Sequence, residues 1–384
     1  MRPVKIILSI VLFVTAWSAR SQDRDTVITL IFAGDIMGHD GQIASALNDS
    51  TETYSYDNVF RYIKPLVTEA DIAIGNLEVT LGGPPYKGYP AFSSPDALAA
   101  ACRDAGFDIL VTANNHAADR GSLGIVRTIR VLDSLGIHHT GTWTSSEARD
   151  TLSPLITDSN GISLALLNYT YGTNGIVVPP PPTIAYIDTL RADTDIRKAS
   201  AAGADKTIIF IHWGTEYDTL PSVTQKQTAA ALKRSGADII IGSHPHVLQP
   251  MIIDVDSTGF CKTVIWSMGN LVSNQRLRRR DGGAMIFIEL TARGDTTFVS
   301  DAGYILTWVY RPVEEGKAKY YILPCAAFEN NPDFFLSSSH YDAMMLFIKD
   351  ARRLLDSENR GFSELTFCEG DWTRVEKNNV QFEE

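Results

Sequence analysis

Three consecutive isoleucines, Ile239-Ile240-Ile241, run straight into Gly242-Ser243-His244-Pro245-His246. β-Branched side chains pack well on a pleated surface, and an apolar run without polar alternation predicts a strand buried on both faces. Gly242 and Pro245 read as the stop of that strand. Two imidazoles, His244 and His246, follow it on irregular backbone. Neutral imidazole is a common ligand for Zn, Mn and Fe ions. A lone histidine is more often a satisfied core residue, but two held apart by a rigid proline do not fold easily into a core. If they bind metal, other strand ends must supply matching N and O ligands.

The same plan recurs along the chain. Residues 26–32 alternate and end in Ala33-Gly34-Asp35; 71–74 run into Gly75-Asn76-Leu77-Glu78; 108–111 run into Thr112-Ala113-Asn114-Asn115-His116. Residues 208–211 run into His212-Trp213-Gly214-Thr215-Glu216, and 264–266 into Ser267-Met268-Gly269-Asn270. Segments of helical period lie between them, over 59–69, 95–105, 123–135 and 223–235. Strands alternating with helices indicate α/β layering, with ligands gathered beyond the carboxyl ends of the strands. Core histidines and asparagines have no reason to fall repeatedly at such ends.

After Ala284 the pattern changes to strands over 285–290 and 304–310, then an amphipathic helix over 341–355. The organisation reads as 1–21, a leader; 26–290, the main domain; and 291–384, strands and a helix that complete or flank it. Residues 177–183 hold four consecutive prolines and read as a stiff polyproline excursion, a surface loop or a flap. The last 30 or so residues carry no motif.

Arg2 and Lys5 precede an apolar run over 6–17, and Ala19-Arg20-Ser21 places small residues two apart, the plan of a cleavable secretory signal. The protein is therefore expected to be exported, periplasmic or extracellular, and membrane-anchored if the signal is kept. Residues 1–21 carry three basic and no acidic groups, so cleavage takes the net charge from −11 to −14. An acidic protein does not draw nucleic acid through its overall field, and nucleic acid is excluded as a partner. The run Arg276-Leu277-Arg278-Arg279-Arg280 is a local exception, either a solvated loop or a contact for an anionic substrate or surface. Four cysteines, Cys102, Cys261, Cys325 and Cys368, form no CxxC pair, which argues against a thiolate zinc site and leaves disulfides and buried thiols both open.

Gathered together, Asp35, Glu78, Asn115, His116, His212, His244 and His246 offer carboxylate, amide and imidazole without thiolate. Such a set suits two divalent ions (Mn, Zn or Fe) about 3.5–4 Å apart, bridged by a carboxylate. Two ions against two carboxylates leave a positive pocket, and a phosphate ester fits that sign. His116, beside Asn115, is placed to protonate a leaving oxygen. Asn76, Glu216 and Asn270 are candidates for substrate binding.

The motifs Phe32-Ala33-Gly34-Asp35-Ile36-Met37, Gly75-Asn76-Leu77-Glu78, Ala113-Asn114-Asn115-His116, His212-Trp213-Gly214-Thr215-Glu216, Gly242-Ser243-His244-Pro245-His246-Val247-Leu248-Gln249-Pro250 and Ser267-Met268-Gly269-Asn270 closely resemble the CapA family. These are the poly-γ-glutamate capsule biosynthesis proteins, with a calcineurin-like metallophosphoesterase fold. The resemblance covers about residues 27–290 and implies a four-layer αββα sandwich with a small C-terminal extension. It implies that Asp35 and His246 hold one metal, that Asn115, His212 and His244 hold the other, and that Glu78 bridges them. The wider phosphoesterase pattern has a histidine where Met37 stands, and His39 is the nearby imidazole that could restore the count.

Three functions fit these residues. One is an exported metal-dependent phosphoesterase acting on a phosphorylated small molecule or envelope substrate. Another is a non-catalytic subunit that binds or exports an anionic polymer within a membrane-bound synthase complex. The third is a metal-dependent amide hydrolase or transferase.

Overall fold

A computed structural model describes residues 25–255, 261–368 and 371–374. The expected leader lies outside the described residues. The expected strands and helices appear, most with longer or shifted bounds. The strand Thr26–Ile36 runs four residues past its alternating part and carries Asp35 inside its end. Ile239–Ser243 likewise continues through Gly242 and Ser243. Gly242 therefore does not stop the strand. It lets the Trp266 carbonyl come so close that a Cβ there would collide with it. The helix expected over 59–69 is confined to Lys64–Glu69, with Pro65 in its first turn, where a missing N–H costs nothing.

Two sheets face each other. The larger runs, in spatial order, through Asp371–Arg374, Ser363–Cys368, Thr296–Tyr310, Gly282–Arg293, Thr26–Ile36, Ile72–Leu77, Ile109–Val111 and His138–Thr140; Asn270–Val272 joins Thr26–Ile36, and Tyr321–Pro324 joins Thr296–Tyr310. The smaller runs through Met251–Val255, Cys261–Ile265, Ile239–Ser243, Lys206–His212, Ile162–Thr170 and Leu155–Ser159. The segment beyond 291 is not a separate body: Thr296–Tyr310 pairs antiparallel with Gly282–Arg293 and extends the larger sheet.

Side-chain alternation sorts the strands into layers. Ile28, Leu30 and Phe32 of the first strand meet Ile208, Phe210, Ile239 and Ile241 of the smaller sheet in one core between the sheets. Ile31 and Ala33 point the other way, to Leu66, Val67, Leu98, Cys102 and Leu132 on helices covering the outer face. Ile209, Ile211 and Ile240 turn out to Ala192, Ile196, Ala229 and Leu232 on Thr189–Ala201 and Val223–Ser235. Helices, sheet, sheet and helices make the expected αββα sandwich. The helix Thr189–Ala201 has no strong apolar period; it buries only Ala192, Asp195, Ile196 and Ala199. A further helix, Ser338–Glu358, joins the inter-sheet core through Met344, Phe347, Ile348 and Leu355.

The expected polyproline excursion has no regular structure until Thr183–Ile184, which pairs with Thr142–Trp143. Cys102, Cys261 and Cys325 are free thiols. Among the described residues no helix is long and apolar enough to cross a membrane.

Candidate metal centre

Both sheets have parallel runs whose carboxyl ends open at one edge of the sandwich. Asp35 and His212 come from strand ends; Glu78, Asn115, His116, His244 and His246 follow strand ends by one to five residues. Each is buried. His244 and His246 sit at φ of 99° and 56°, left-handed backbone that non-glycine residues adopt only where the surroundings hold them. Pro245 between them is part of that restraint, and Tyr217 N–H donates to its carbonyl at 2.8 Å.

Glu78 lies at the centre. Its Oε1 is 3.5 Å from His212 Nε2 and 3.8 Å from His246 Nε2. Donor atoms of Glu78, His244 and His246 lie within 4.8 Å of one another, and so do those of Asp35, Glu78 and His212. The two groups share Glu78. They divide the histidines differently from the resemblance, because the rings interleave: His212 and His244 centroids are 4.8 Å apart, and those of His244 and His246 are 5.9 Å apart.

The neighbours aim these groups. Asn270 commits its amide nitrogen to the Arg280 carbonyl at 2.8 Å and turns its oxygen to His246 Nδ1 at 3.1 Å. Asp35 Oδ2 lies 3.0 Å from the same Nδ1. Two oxygens at Nδ1 hold the proton there and leave Nε2 bare toward Glu78. The Ser243 hydroxyl lies 2.9 Å from His212 Nδ1, while His212 Nε2 lies 2.9 Å from Asn115 Oδ1. Asn76 donates to Asp35 Oδ1 at 2.8 Å, and Asn114 donates to the Leu77 carbonyl at 2.8 Å. Asn76 and Asn270 thus spend their polar atoms on protein partners. Glu216 is exposed at the rim.

His116 forms a second unit beside this set. Its Nδ1 is 2.7 Å from Asp119 Oδ2, which also accepts from the Phe92 N–H at 2.7 Å, and its ring meets the Phe92 edge at 4.6 Å. Met37 is buried in the apolar core on the helix side, so it offers nothing to the site. His39 begins the helix Asp40–Ala46, its Nδ1 close to Gln42 Oε1 at 3.2 Å and to the Asn274 N–H at 3.3 Å.

Burial governs the electrostatics. It raises the Glu78 carboxyl well above the usual range, and the Asp35 charge adds to this. It lowers His212 well below its ordinary value and His244 to about 3, with neighbouring imidazoles adding to both. Neutral imidazoles are the form that binds metal.

Both Glu78 oxygens and His244 Nδ1 are buried without a hydrogen-bond partner among the described residues. A buried carboxylate so placed is costly unless a proton or cation compensates it. The surrounding donors are nitrogen and oxygen, of the kind that divalent ions of intermediate hardness prefer. The residues fit metal ions.

Several neighbours carry no sequence signal of their own. Asp119 and Ser243 are short polar residues next to motif histidines. Tyr171 tilts against His244 at 4.6 Å and is 48% exposed; Asn174 accepts from Asn115 at 3.4 Å. Both come from the loop after Ile162–Thr170, a strand the periodicity did not flag.

An αββα sandwich with imidazoles and carboxylates converging at its strand ends defines a class of metal-site proteins. Within that class, residues 29–275 match the bacterial capsule synthesis protein family PGA_cap, and the chain belongs to it. It is 27% identical over 331 residues to the capsule biosynthesis protein CapA of Bacillus anthracis, covering 82% of this chain and 76% of that one. It is 29% identical over 318 residues to the PGA biosynthesis protein CapA of Bacillus subtilis strain 168, covering 76% and 77%. Similar solved structures include the NAD nucleotidase of Haemophilus influenzae (12% identity, TM-score 0.47, 89% of this chain and 57% of that one). The calcineurin-like phosphoesterase YfkN of Bacillus subtilis is another (13% identity, TM-score 0.43, 86% and 99%). This chain spans a little over half the length of the nucleotidase.

Proposed function

We propose that this CapA-like protein is an exported, metal-dependent phosphoesterase serving the synthesis of an anionic capsule or envelope polymer. One observation carries the reading: a fully buried Glu78 whose two oxygens have no hydrogen-bond partner among the described residues, set among three buried imidazoles. On the division that the resemblance implies, Asp35, Glu78 and His246 would hold one divalent ion, and Glu78, Asn115, His212 and His244 a second, whether Mn, Zn or Fe; Glu78 is shared in this division as it is in the donor groups described above. Such ions supply a lowered water pKa and offset charge on phosphoryl oxygens.

The remaining work falls to side chains of this protein. Asn270 and Asp35 keep the His246 proton on Nδ1, and Ser243 orients His212. Asp119 holds His116 by Nδ1, which leaves Nε2 as the ring position from which a proton passes to the leaving oxygen. The substrate is a phosphorylated small molecule or an envelope polymer precursor, met outside the cytoplasm beside a membrane-bound polymer synthase.

Elemental analysis of protein purified without chelator, paired with hydrolysis of bis(p-nitrophenyl) phosphate before and after chelation, tests this. Bound divalent metal and chelator-sensitive turnover are expected. A folded protein that neither contains nor takes up Mn, Zn or Fe would overturn the site. Metal without turnover favours the second reading, a non-catalytic subunit that binds or exports the polymer. That reading draws on Met37, whose burial leaves the Asp35 side without an imidazole from the first strand.

A further inference from the structure

The arginine run resolves into unequal parts. Arg276 donates to the Val309 carbonyl at 2.9 Å and lies over the Trp308 ring. Arg278 and Arg279 both pair with Asp350 on the C-terminal helix. Three of the four guanidinium groups are therefore occupied in joining this loop to the rest of the fold. Arg280 differs. Its guanidinium carbon lies 3.2 Å from the centroid of the Tyr217 ring, and among the described residues it has no carboxylate at ion-pair distance.

Both members of this pair are tied to the metal centre. The Tyr217 ring is 6.2 Å from that of His246, and the Arg280 carbonyl accepts from the same Asn270 that orients His246. Backbone strain frames the pair: Tyr217 and Arg279, neither of them glycine, both sit at φ of 72°. Strain of this kind persists where the surroundings over-determine it, and it gathers at functional sites. Both residues are only half-buried, whereas the imidazoles and carboxylates of the metal centre beside them are buried. A guanidinium held over an aromatic face by cation–π attraction still carries N–H donors that suit a planar or tetrahedral oxyanion.

We infer that Arg280, seated on Tyr217, recognises a second anionic group of the substrate, a carboxylate or phosphate apart from the ester held at the metal centre. The inference rests on the reading of that centre as a substrate site. It narrows the substrate class to ligands bearing at least two anionic groups. Arg280 is then a specificity residue, and Tyr217 its positioning partner.

Calorimetric titration of the metal-loaded protein with a γ-linked glutamate oligomer (the carboxylate arm) and with pyrophosphate (the phosphate arm) tests this. At least one probe is expected to bind the wild type. Arg280→Gln should weaken that probe about 10- to 100-fold, the loss of one charge-assisted hydrogen-bonding group. Arg280→Lys should recover part of the loss and Tyr217→Leu should reproduce part of it, with metal content unchanged in all three. The probe that responds identifies the anion. Equal binding by wild type and Arg280→Gln, or no binding of either probe by the wild type, overturns the inference. Hydrolysis of bis(p-nitrophenyl) phosphate, which carries a single charge, separates the two readings. If it is absent while Arg280-dependent binding persists, the phosphoesterase reading fails and the subsite stands. If it is present while both probes ignore Arg280, the subsite fails alone.

Discussion

His116 Nδ1 and Asp119 Oδ2 lie 2.7 Å apart, both buried, three residues apart on the turn that leads into the helix Gly121–Leu135. The carboxylate fixes the ring and its tautomer, so the pair works as one unit in which only His116 would meet substrate. His116→Ala should lower phosphodiester turnover about 100- to 10,000-fold. Asp119→Asn should lower it by a smaller factor, with metal content intact in both variants. An Asp119→Asn enzyme with wild-type turnover would show that Asp119 is only structural.

Glu78 makes a prediction about the metal-free protein. Its folded pKa is raised by burial and by Asp35, so its contribution to stability is present below its unfolded value and is lost as pH rises through the folded one. Protein stripped with chelator should therefore weaken toward neutral pH, and Glu78→Gln should remove part of that weakening while abolishing tight metal binding. Urea melts of the two stripped proteins across pH 4–8 check it. A Glu78→Gln protein less stable than the stripped wild type at neutral pH would count against a costly buried charge.

Ser243 touches His212 Nδ1 at 2.9 Å, on the far side of the ring from the Nε2 that faces Asn115 and Glu78. Loss of such an orienting partner costs about 10- to 100-fold in metal affinity. Competition titration of Ser243→Ala against a calibrated chelator should show that loss with little change in thermal stability.

His39 yields a second pH dependence. Burial brings its pKa down to about 4, with the nearby His246 and His116 adding to this and Gln42 opposing it. Between about 4 and the ordinary 6.5 the unfolded chain binds more protons than the folded one, so stability rises with pH across that window. The slope from one such group is at most about 1.4 kcal/mol per pH unit. His39→Gln should flatten the stability profile there without changing the stoichiometry of bound metal. A drop in stoichiometry would instead make His39 a ligand.

Gly242 is required by its neighbour rather than by its own dihedrals. A methyl group there would strike the Trp266 carbonyl and the Trp213 indole. Gly242→Ala should destabilise the protein by about 1–3 kcal/mol, the usual range for overpacking, and should disturb His244 two residues on. Chemical denaturation and metal analysis of the same sample read both effects.

The layers and the site's outline were legible because their signals are local. Ile239-Ile240-Ile241 announces a strand buried on both faces, and each polar motif marks a strand end, so Asp35, Glu78, Asn115, His116, His212, His244 and His246 could be gathered before any distance was known. Two elements escaped: Thr189–Ala201, which buries a single large apolar side chain, Ile196, and Ile162–Thr170, which leads to Tyr171.

What the chain alone determined, then, is the residue types that reach the open edge of the sheets, since period and strand ends are written in neighbouring residues. What the tertiary structure decided is who meets whom there. Asp35 and His246 are 211 positions apart and meet because the first strand lies across the inter-sheet core from the strand that precedes His246. The same packing sends Met37 into the core, commits Asn76 to Asp35 and Asn270 to His246, and singles out Arg280 from its run. Sheet order and layer packing act through space, and no spacing along the chain encodes such a distance.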